Sequence, residues 1–270
     1  IAISLLLAWH GPGTAVNCCR NEVAKAPESW EDGMKVDINC DMGEAYSIYT
    51  CGDDLAIMPY VSQANIACGY HASDPSVMQA TVRLAKAHGV SVGAHPSYPD
   101  RQGFGRRAMK LDPDELLDCL VYQVGALKGF LDAEGMALNH VKPHGALNGV
   151  AWNDEATCRA IGLCAQTFSV PVMAMSGTGH EKTYGALGVP IIFETYVDLD
   201  YNDAGEVVIT REHTAIAPEV ALAQARRAAH DGTVMALSGK LVTVKCQSIC
   251  VHSDTPGAVG VAKAIHAELT

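Results

Sequence analysis

Short apolar runs alternate with amphipathic stretches along most of the chain. Seven apolar runs occupy residues 35–41, 63–68, 90–96, 137–145, 170–177, 190–198 and 247–254. The clearest stretches with apolar residues at helical spacing are 77–89, 112–135, 155–168, 218–232 and 256–269. Nearly continuous apolar strands that alternate with helices indicate a parallel sheet covered by helices.

Residues that favour helix ends mark the first helix. Asp74 or Ser73 can cap its start, Pro75 suits its first position, and Gly89 can end it. This pattern of an apolar run, a short loop and a capped helix recurs along the chain. We therefore expect a single α/β domain, a closed or nearly closed (β/α) barrel of about seven strands, with an open doubly wound sheet as the alternative.

The first 33 residues do not continue this pattern. They contain a short apolar run, ISLLLA, followed by a segment rich in Gly, Pro and polar residues. We interpret residues 1–33 as an N-terminal extension that is not part of the fold, and residues 34–270 as the barrel domain. A degenerate signal peptide is the alternative, although a basic leading region is missing.

Composition narrows the classes of partner. The chain has 270 residues, 49% of them hydrophobic, and 19 basic against 30 acidic side chains give a formal net charge of -11. Nucleic-acid binding needs clustered Lys and Arg, which are absent, and no apolar run is long enough to span a membrane. The ten cysteines include no C-x-x-C pair, so a reducing, cytoplasmic location is the simpler prediction.

Polar side chains interrupt the first strand in a regular way. Asp37, Asn39 and Asp41 alternate along it, and Glu44 follows. Residues two apart in a strand share a face, so the first three should point into the barrel. Because such residues would be costly in a plain core, a functional site is favoured over a structural polar network.

Histidines repeat this signal at the ends of other runs. His71, His95, His144 and His252 each follow an apolar run within a few residues. A single such histidine is more often structural, but four at equivalent strand ends would meet at one mouth of a barrel. Imidazole at that mouth can act as an acid, a base or a metal ligand.

Further charged groups lie near the same strand ends. Lys142 precedes His144 by two residues, and the other candidates are Asp74, Arg106, Glu194, Asp198 and Asp254. The Gly-rich loop 98–107, which contains Arg106, could bind a carboxylate or phosphate, with a solvated loop as the alternative. The sequence has no phosphate-binding P-loop, dinucleotide fingerprint, serine-hydrolase elbow or H-E-x-x-H motif.

Five segments carry a family resemblance. DINCDMGEAYSIY, ANIACGYHASDPSVM, HGVSVGAHPSYPDRQGFGRR, VKPHGAL and ICVHSDTPGAV resemble the successive motifs of the LamB/YcsF family. The resemblance implies a (β/α) barrel related to the glycoside hydrolase/deacetylase superfamily. Bacterial members include the A-type subunit of an ATP-dependent 5-oxoprolinase, which opens 5-oxoproline to glutamate together with two partner subunits, and fungal relatives are linked to lactam use.

The resemblance also implies roles for the strand-end residues. Those expected to carry the chemistry are Asp41, Glu44, His71, His95, Lys142 and His144. Those expected to bind the lactam are Asn39, Asp74, Arg106, Glu194, Asp198, His252 and Asp254. ATP with magnesium is the implied cosubstrate. At Leu199 the family usually has Arg, which puts the substrate preference in doubt.

Two other functions remain open at this stage. The first is a metal-dependent amide hydrolase or deacetylase, in which Asp41, His71 and His95 hold a divalent ion. The second is a non-catalytic subunit that binds the small molecule for its partner proteins. The sequence does not rank the acids and bases, identify the lactam, or show whether ATP binds to this chain.

Overall fold

A computed structural model describes residues 36–209 and 214–269. The strands are β1 Asp37–Met42, β2 Gln63–Ala67, β3 Ser91–His95, β4 Leu138–Val141, β5 Val172–Ala174, β6 Ile191–Tyr196, β7 Thr233–Met235, β8 Leu241–Thr243 and β9 Ser248–His252. Seven of them form a closed parallel barrel in the order β1-β2-β3-β4-β5-β6-β9, and β7 and β8 form a separate antiparallel pair. The predicted (β/α) barrel of about seven strands is confirmed.

Helices cover the outside of the barrel. They are α1 Asp54–Ile57, α2 Pro75–His88, α3 Pro113–Glu134, α4 Gly145–Ala151, α5 Glu155–Phe168, α6 Gly179–Leu187, α7 Pro218–Arg226 and α8 Ala258–Leu269. A 3₁₀ turn, Met58–Tyr60, follows α1, and a π-helical turn, Arg227–Asp231, follows α7. None of the helices within 36–209 and 214–269 is both long and apolar enough to cross a membrane.

Side chains at the helix ends explain where the longest helices begin. Asp74 accepts hydrogen bonds from the backbone N–H groups of Ser76 and Val77 at the start of α2, and Asp112 caps α3 in the same way. Gly89 and Gly135 end these two helices in the left-handed conformation. Caps of this kind satisfy N–H and C=O groups that a helix leaves unpaired at its ends.

The two faces of β1 separate the apolar core from the polar interior. Ile38 and Cys40 are buried in the hydrophobic core, whereas Asn39 and Asp41 alternate with them. The register pairs Asp41 with Asn65 of β2 and with His252 of β9. Polar side chains from three neighbouring strands are therefore brought to one level inside the barrel.

Gly93 makes room for a large polar side chain in that interior. A Cβ atom at this position of β3 would overlap the imidazole ring of His140. The His140 ring is fully buried, and its Nε2 lies 2.7 Å from Oδ1 of Asn65. The register between β3 and β4 shifts near this point, between Val92 and Ala94.

Several sequence expectations differ from the structure or fall outside it. The short helices α1, α4 and α6 and the β7–β8 pair were not predicted, because each is too short to show a periodic pattern. The proposed extension, residues 1–33, lies outside the described residues. The eight cysteines in the described part of the chain are free thiols, and Cys18 and Cys19 lie outside it.

Candidate active site at the barrel mouth

A buried ammonium group is held by side chains from two strands, β1 and β6. Nζ of Lys142 lies 2.9 Å from Oδ1 of Asp41, 3.1 Å from Oδ1 of Asn39 and 3.1 Å from Oε2 of Glu194. Asn65 donates through Nδ2 to Asn39 and Asp41, at 2.8 Å each. We refer to these five residues as the lysine network.

Burial and charge pairing act against each other in the lysine network. Burial alone would raise the pKa of Asp41, but His95 and Lys142 outweigh it and hold the pKa well below its usual range. Burial would likewise lower the pKa of Lys142, and the carboxylates of Asp41 and Glu194 keep it well above its usual range. Asp41 and Lys142 are therefore an ionised pair in the protein interior.

A second group of side chains lies beside the lysine network, at the carboxyl ends of β1 to β4. Its members are Glu44, His71, His95 and His144, which we call the histidine cluster. Each has a ligand atom within 4.8 Å of those of the others. The rings of His71 and His144 stack in parallel with centroids 3.7 Å apart, and the ring of His95 meets them edge-on.

The outer ring nitrogens of the cluster donate to acceptors outside it. Nδ1 of His95 lies 2.7 Å from the carbonyl oxygen of Lys142, and Nε2 of His144 lies 2.7 Å from that of Phe104. Nδ1 of His71 lies 3.1 Å from Oγ of Ser97, whose hydroxyl donates to the carbonyl of Tyr98. The tautomers assigned from these partners carry the proton on the outer nitrogen of each ring.

With these tautomers the inner atoms face each other as acceptors, and Nε2 of His95, which lies 3.2 Å from Oδ2 of Asp41, donates to that carboxylate when the ring is protonated. Nε2 of His71 lies 2.9 Å from Oε1 of Glu44, and Nδ1 of His144 lies 2.9 Å from Nε2 of His95. Burial raises the pKa of Glu44 to about 7, with the negative charge of Asp41 contributing. Burial also lowers the pKa of His71 and of His144 well below the usual range.

The glycine-rich loop 98–107 holds part of this cluster in place. Gly105 has φ +64°, and a Cβ there would lie 2.7 Å from Cδ2 of His144 and 2.9 Å from Cβ of His71. The loop also presents the Phe104 carbonyl to His144. Gly105 therefore serves both a left-handed turn and a close approach to two rings.

The arginines of this loop bind partners within the chain. Arg107 pairs with Asp100 inside the loop, and Arg101 donates to the carbonyl of Gly69. Arg106 pairs with Asp254 at 2.7 Å, with 8% of its side chain exposed. Arg106 is the arginine of the three that lines the pocket.

The opposite side of the mouth carries a paired imidazole. Nδ1 of His252 lies 2.9 Å from Oδ1 of Asp198, and its Nε2 lies 3.7 Å from Oδ2 of Asp41. Burial would lower the pKa of His252, but Asp198 and Cys250 raise it well above the usual range. His252 is therefore a cationic imidazolium at neutral pH.

A pocket opens over these groups. Its polar lining residues, which we call the polar wall, are Asp41, His95, Arg106, Lys142, His144 and His252. Its larger and mostly apolar lining residues, which we call the apolar wall, include Trp152, Tyr196, Leu199, Val207 and Ile209. A compact ligand with an apolar ring face and one polar edge is complementary to such a pocket.

Some predicted site residues lie away from this pocket. Asp74 accepts three backbone hydrogen bonds, from Ser47, Ser76 and Val77, which give it a capping role in the structure. Asn39 and Glu194 lie beneath the pocket, in the lysine network. The predicted roles of all these residues in catalysis or substrate binding stay predictions.

Sequence reasoning missed two residues that support the site. Asn65 orients Asp41 from β2, and His140 was assigned no place at the mouth although it lies under Asn65. His140 and Lys142 alternate along β4, as Asn39 and Asp41 do along β1. That alternation was the signal that could have identified His140.

Within residues 36–209 and 214–269, two groups of side chains could hold a metal ion. One is the histidine cluster, and the other consists of Asp41, Cys250 and His252. His71 and His95 of the predicted metal set fall in the first group, and Asp41 falls in the second. In the second group, Nζ of Lys142 lies 3.0 Å from Sγ of Cys250, so a positive charge already occupies that region.

Comparison with known proteins gives consistent matches. The LamB/YcsF family model matches residues 36–270. The lactam utilization protein lamB of Emericella nidulans is 46% identical over 230 residues, 84% of this chain and 90% of that protein. The A-type subunit of 5-oxoprolinase from Thermus thermophilus is 43% identical over 240 residues, 87% of this chain and 96% of that protein. The crystal structure of the lactam utilization protein from Thermus thermophilus has a TM-score of 0.80 and 43% identity, covering 86% of this chain and 95% of that one.

Proposed function

Because the chain belongs to the LamB/YcsF family, we propose that it is the subunit of a 5-oxoprolinase-type enzyme that binds a small lactam and opens its ring. The observation that carries this proposal is the pocket with one polar and one apolar wall. The ring carbons of a lactam would contact Trp152 and Leu199. Its amide edge would face Asp41, Lys142 and His252.

Ring opening adds one water across the carbonyl carbon–nitrogen bond. In the proposed arrangement the ionised carboxylate of Asp41 takes a proton from this water as the water oxygen bonds to the carbonyl carbon, and that proton passes to His252 after the carbon–nitrogen bond has broken. The ammonium of Lys142 stabilises negative charge that develops on the carbonyl oxygen. The imidazolium of His252 protonates the leaving nitrogen, and Asp198 holds its ring in position.

Substrate preference depends on the charge around the apolar wall. Leu199 lines the pocket where the family usually has an arginine. The guanidinium of Arg106 is near but is paired with Asp254. A lactam without a carboxylate would therefore bind this pocket almost as tightly as one that has a carboxylate. We propose that a related lactam, as well as 5-oxoproline, is a substrate.

The described residues do not fit a nucleotide. The three cationic groups at the pocket are each paired with a carboxylate: Lys142 with Asp41, Arg106 with Asp254 and His252 with Asp198. A triphosphate would have to displace these partners. We therefore propose that ATP acts on the two partner subunits rather than at this pocket.

The test is a turnover assay in which the chain is mixed with two partner subunits of the 5-oxoprolinase type, in a buffer of cytoplasmic pH and salt. Ring opening of 5-oxoproline and of an uncharged five-membered lactam is measured with and without ATP. Asp41→Asn and His252→Asn should each lower turnover by about 100-fold or more, because each removes a proton-handling group. His88→Asn on the helix surface serves as the control.

The outcomes separate the alternatives. Loss of ring opening in the two variants, with normal turnover in the control, supports the proposal. Normal turnover in both variants would overturn the assigned roles and favour a non-catalytic binding subunit. Turnover without ATP or partner subunits would instead support a metal-dependent amide hydrolase.

A further inference from the structure

We propose that the histidine cluster is a binding site for one divalent transition-metal ion, held by Nε2 of His71, Nε2 of His95, Nδ1 of His144 and Oε1 of Glu44. Zinc is the ion whose usual ligands this set matches most closely. The inference goes beyond the proposed function, since it concerns which ion the cluster holds. It can fail while lactam ring opening stands.

The first argument is the direction of the lone pairs. Each ring donates its outer N–H to an acceptor outside the cluster: His71 to Ser97, His95 to the Lys142 carbonyl and His144 to the Phe104 carbonyl. Metal-ligating histidines almost always donate their other nitrogen in this way, which fixes the ring and exposes the ligating lone pair. All three rings have this arrangement.

The second argument is the spacing of the inner atoms. Zinc–nitrogen and zinc–oxygen bonds of about 2.0–2.2 Å in a tetrahedron place neighbouring ligand atoms roughly 3.3–3.5 Å apart. Here the separations are 2.9 Å from His71 to Glu44, 2.9 Å from His144 to His95 and 3.5 Å from Glu44 to His144. All four ligand atoms lie within 4.8 Å of one another, so they converge on one point, and two of the three shortest separations are below the tetrahedral distance.

The third argument is the cost of leaving these atoms as they are. Glu44, His71, His95 and His144 are at most 4% exposed, so water has little access to them. Buried acceptors that face each other without a proton or a cation between them are costly. Two protons could satisfy the two 2.9 Å contacts, one in each, and a single divalent ion would satisfy both at once.

The neighbouring group is a weaker candidate. Asp41, Cys250 and His252 also converge, but the Lys142 ammonium lies 2.9 Å from Asp41 and 3.0 Å from Cys250. His252 is already paired with Asp198. A second cation would have to enter beside an existing one, whereas the histidine cluster contains no lysine or arginine.

Location gives the ion a role at the pocket. His95 and His144 line the pocket, while His71 and Glu44 lie behind them. A bound divalent ion supplies Lewis acidity, which can polarise a carbonyl oxygen or lower the pKa of a bound water. This chemistry would be available next to the Asp41 carboxylate.

The test measures binding rather than turnover. The full chain is stripped of metal with a chelator and titrated with zinc by calorimetry, and bound zinc is counted by elemental analysis. We expect one ion per chain, with proton release that shows as a dependence of the heat on the buffer. Cobalt is the second probe, because its visible spectrum reports the ligand set.

Matched variants locate the ion. His71→Asn and Glu44→Gln should each weaken zinc binding more than tenfold and change the cobalt spectrum. Ser97→Ala removes no ligand atom but frees the His71 ring, and it should weaken binding by about tenfold. His180→Asn changes an equally buried histidine outside the cluster and should leave binding unchanged.

Circular dichroism identifies any variant that does not fold. If His71→Asn or Glu44→Gln is unfolded, the effect of Ser97→Ala on zinc affinity decides whether the ion is in the histidine cluster. Wild-type protein that binds neither zinc nor cobalt would overturn the proposal and leave the two-proton arrangement. Binding that survives His71→Asn and Ser97→Ala but is lost in Cys250→Ser would also overturn it, by placing the ion in the neighbouring group.

Discussion

The lysine network and the histidine cluster are adjacent, equally buried and satisfied in different ways. In the lysine network the carboxylates of Asp41 and Glu194 both lie within 3.1 Å of the Lys142 ammonium, and Oε2 of Glu194 has this ion pair but no hydrogen bond. In the histidine cluster the inner atoms of Glu44, His71, His95 and His144 are all acceptors that face one another. Both groups meet where Nε2 of His95 lies 3.2 Å from Oδ2 of Asp41.

The difference separates fixed charges from a group that can take up a proton or a cation. The lysine network pairs its own charges, so it fixes the positions of the Asp41 carboxylate and the Lys142 ammonium at the pocket. A group whose acceptors face each other is stabilised when a proton or a cation enters between them. The histidine cluster is therefore the half of the mouth whose state should respond to pH and to metal ions.

The strongest way to break this comparison is to remove the central cation. Lys142→Met removes the ammonium that both buried carboxylates, of Asp41 and of Glu194, share. We expect the free energy of unfolding to fall by about 3–5 kcal/mol, the usual cost of removing one partner of a buried ion pair. Urea unfolding measures it, and Lys182→Met, at an exposed position of α6, is the control.

A change below about 1 kcal/mol in Lys142→Met would show that the lysine network is not a closed set of charges. Water would then have to reach Asp41 or Glu194. The free energy of unfolding of the control variant, Lys182→Met, should stay within about 0.5 kcal/mol of the wild-type value, as is usual for surface substitutions.

The complementary test removes a member of the histidine cluster. His71→Ala and His95→Ala should each lower turnover by about 100-fold or more, since both disrupt the group beside the reacting edge of the pocket. The thermal midpoint should change less than in Lys142→Met, because Asp41 keeps its ion pair with the Lys142 ammonium in both variants. Turnover assays and thermal unfolding are compared on the same samples.

Equal effects in His88→Ala would contradict this expectation. His88 ends α2 on the exposed surface and has no contact with the mouth. A loss of turnover there would indicate a general effect on folding or assembly rather than a local effect in the cluster.

A third test uses the pH dependence of the paired imidazole. The groups facing His252 are Asp198, Asp41, Cys250 and Tyr196. The folded pKa of His252 is raised above its unfolded value of about 6.5. Its contribution to stability is therefore complete below about pH 6.5 and is lost as the pH rises through the folded pKa.

Asp198→Asn should consequently destabilise the protein most at low pH. At about pH 6 we expect a loss of about 1.5–3 kcal/mol in the free energy of unfolding, the range for a hydrogen bond to a charged group. The difference from the wild type should narrow at alkaline pH. A difference that is constant or that widens above about pH 7 would show that His252 is neutral in the folded protein.

The smallest expected effect concerns substrate preference. Leu199→Arg introduces a guanidinium at the apolar wall of the pocket. We expect kcat/KM for 5-oxoproline to rise about tenfold relative to an uncharged lactam, since a charge-assisted hydrogen bond to the carboxylate contributes about 1.4 kcal/mol or more. Leu199→Met is the volume-matched control, and equal ratios in both variants would remove Leu199 from the determinants of specificity.

The sequence predicted the framework better than the details of the site. The alternation of Asn39 and Asp41 in β1 follows directly from the two-residue period of a strand, and the strand-end rule placed His95 at the mouth. Neither rule states which ring nitrogen faces which neighbour. That depends on carbonyl groups of Phe104 and Lys142, whose positions are set by tertiary folding.

Local rules also compete with one another. Asp74 satisfies both a helix-cap pattern and a strand-end pattern, and the structure shows the cap. His140 was passed over because its strand is short and its partner, Asn65, is 75 residues away. Its ring fits only because Gly93 lacks a side chain, a relation between two strands that neither strand shows alone.

The closure of the barrel by β9 has a consequence for the order of events during synthesis. Asn39 in the first strand donates to Ser248, 209 residues later, and His252 follows on the same closing strand. Until β9 has been translated, β1 and β6 both have open edges and the mouth lacks its imidazolium. Contacts of such long sequence separation form slowly, so the nascent chain must keep two strand edges from pairing wrongly until β9 has been synthesised.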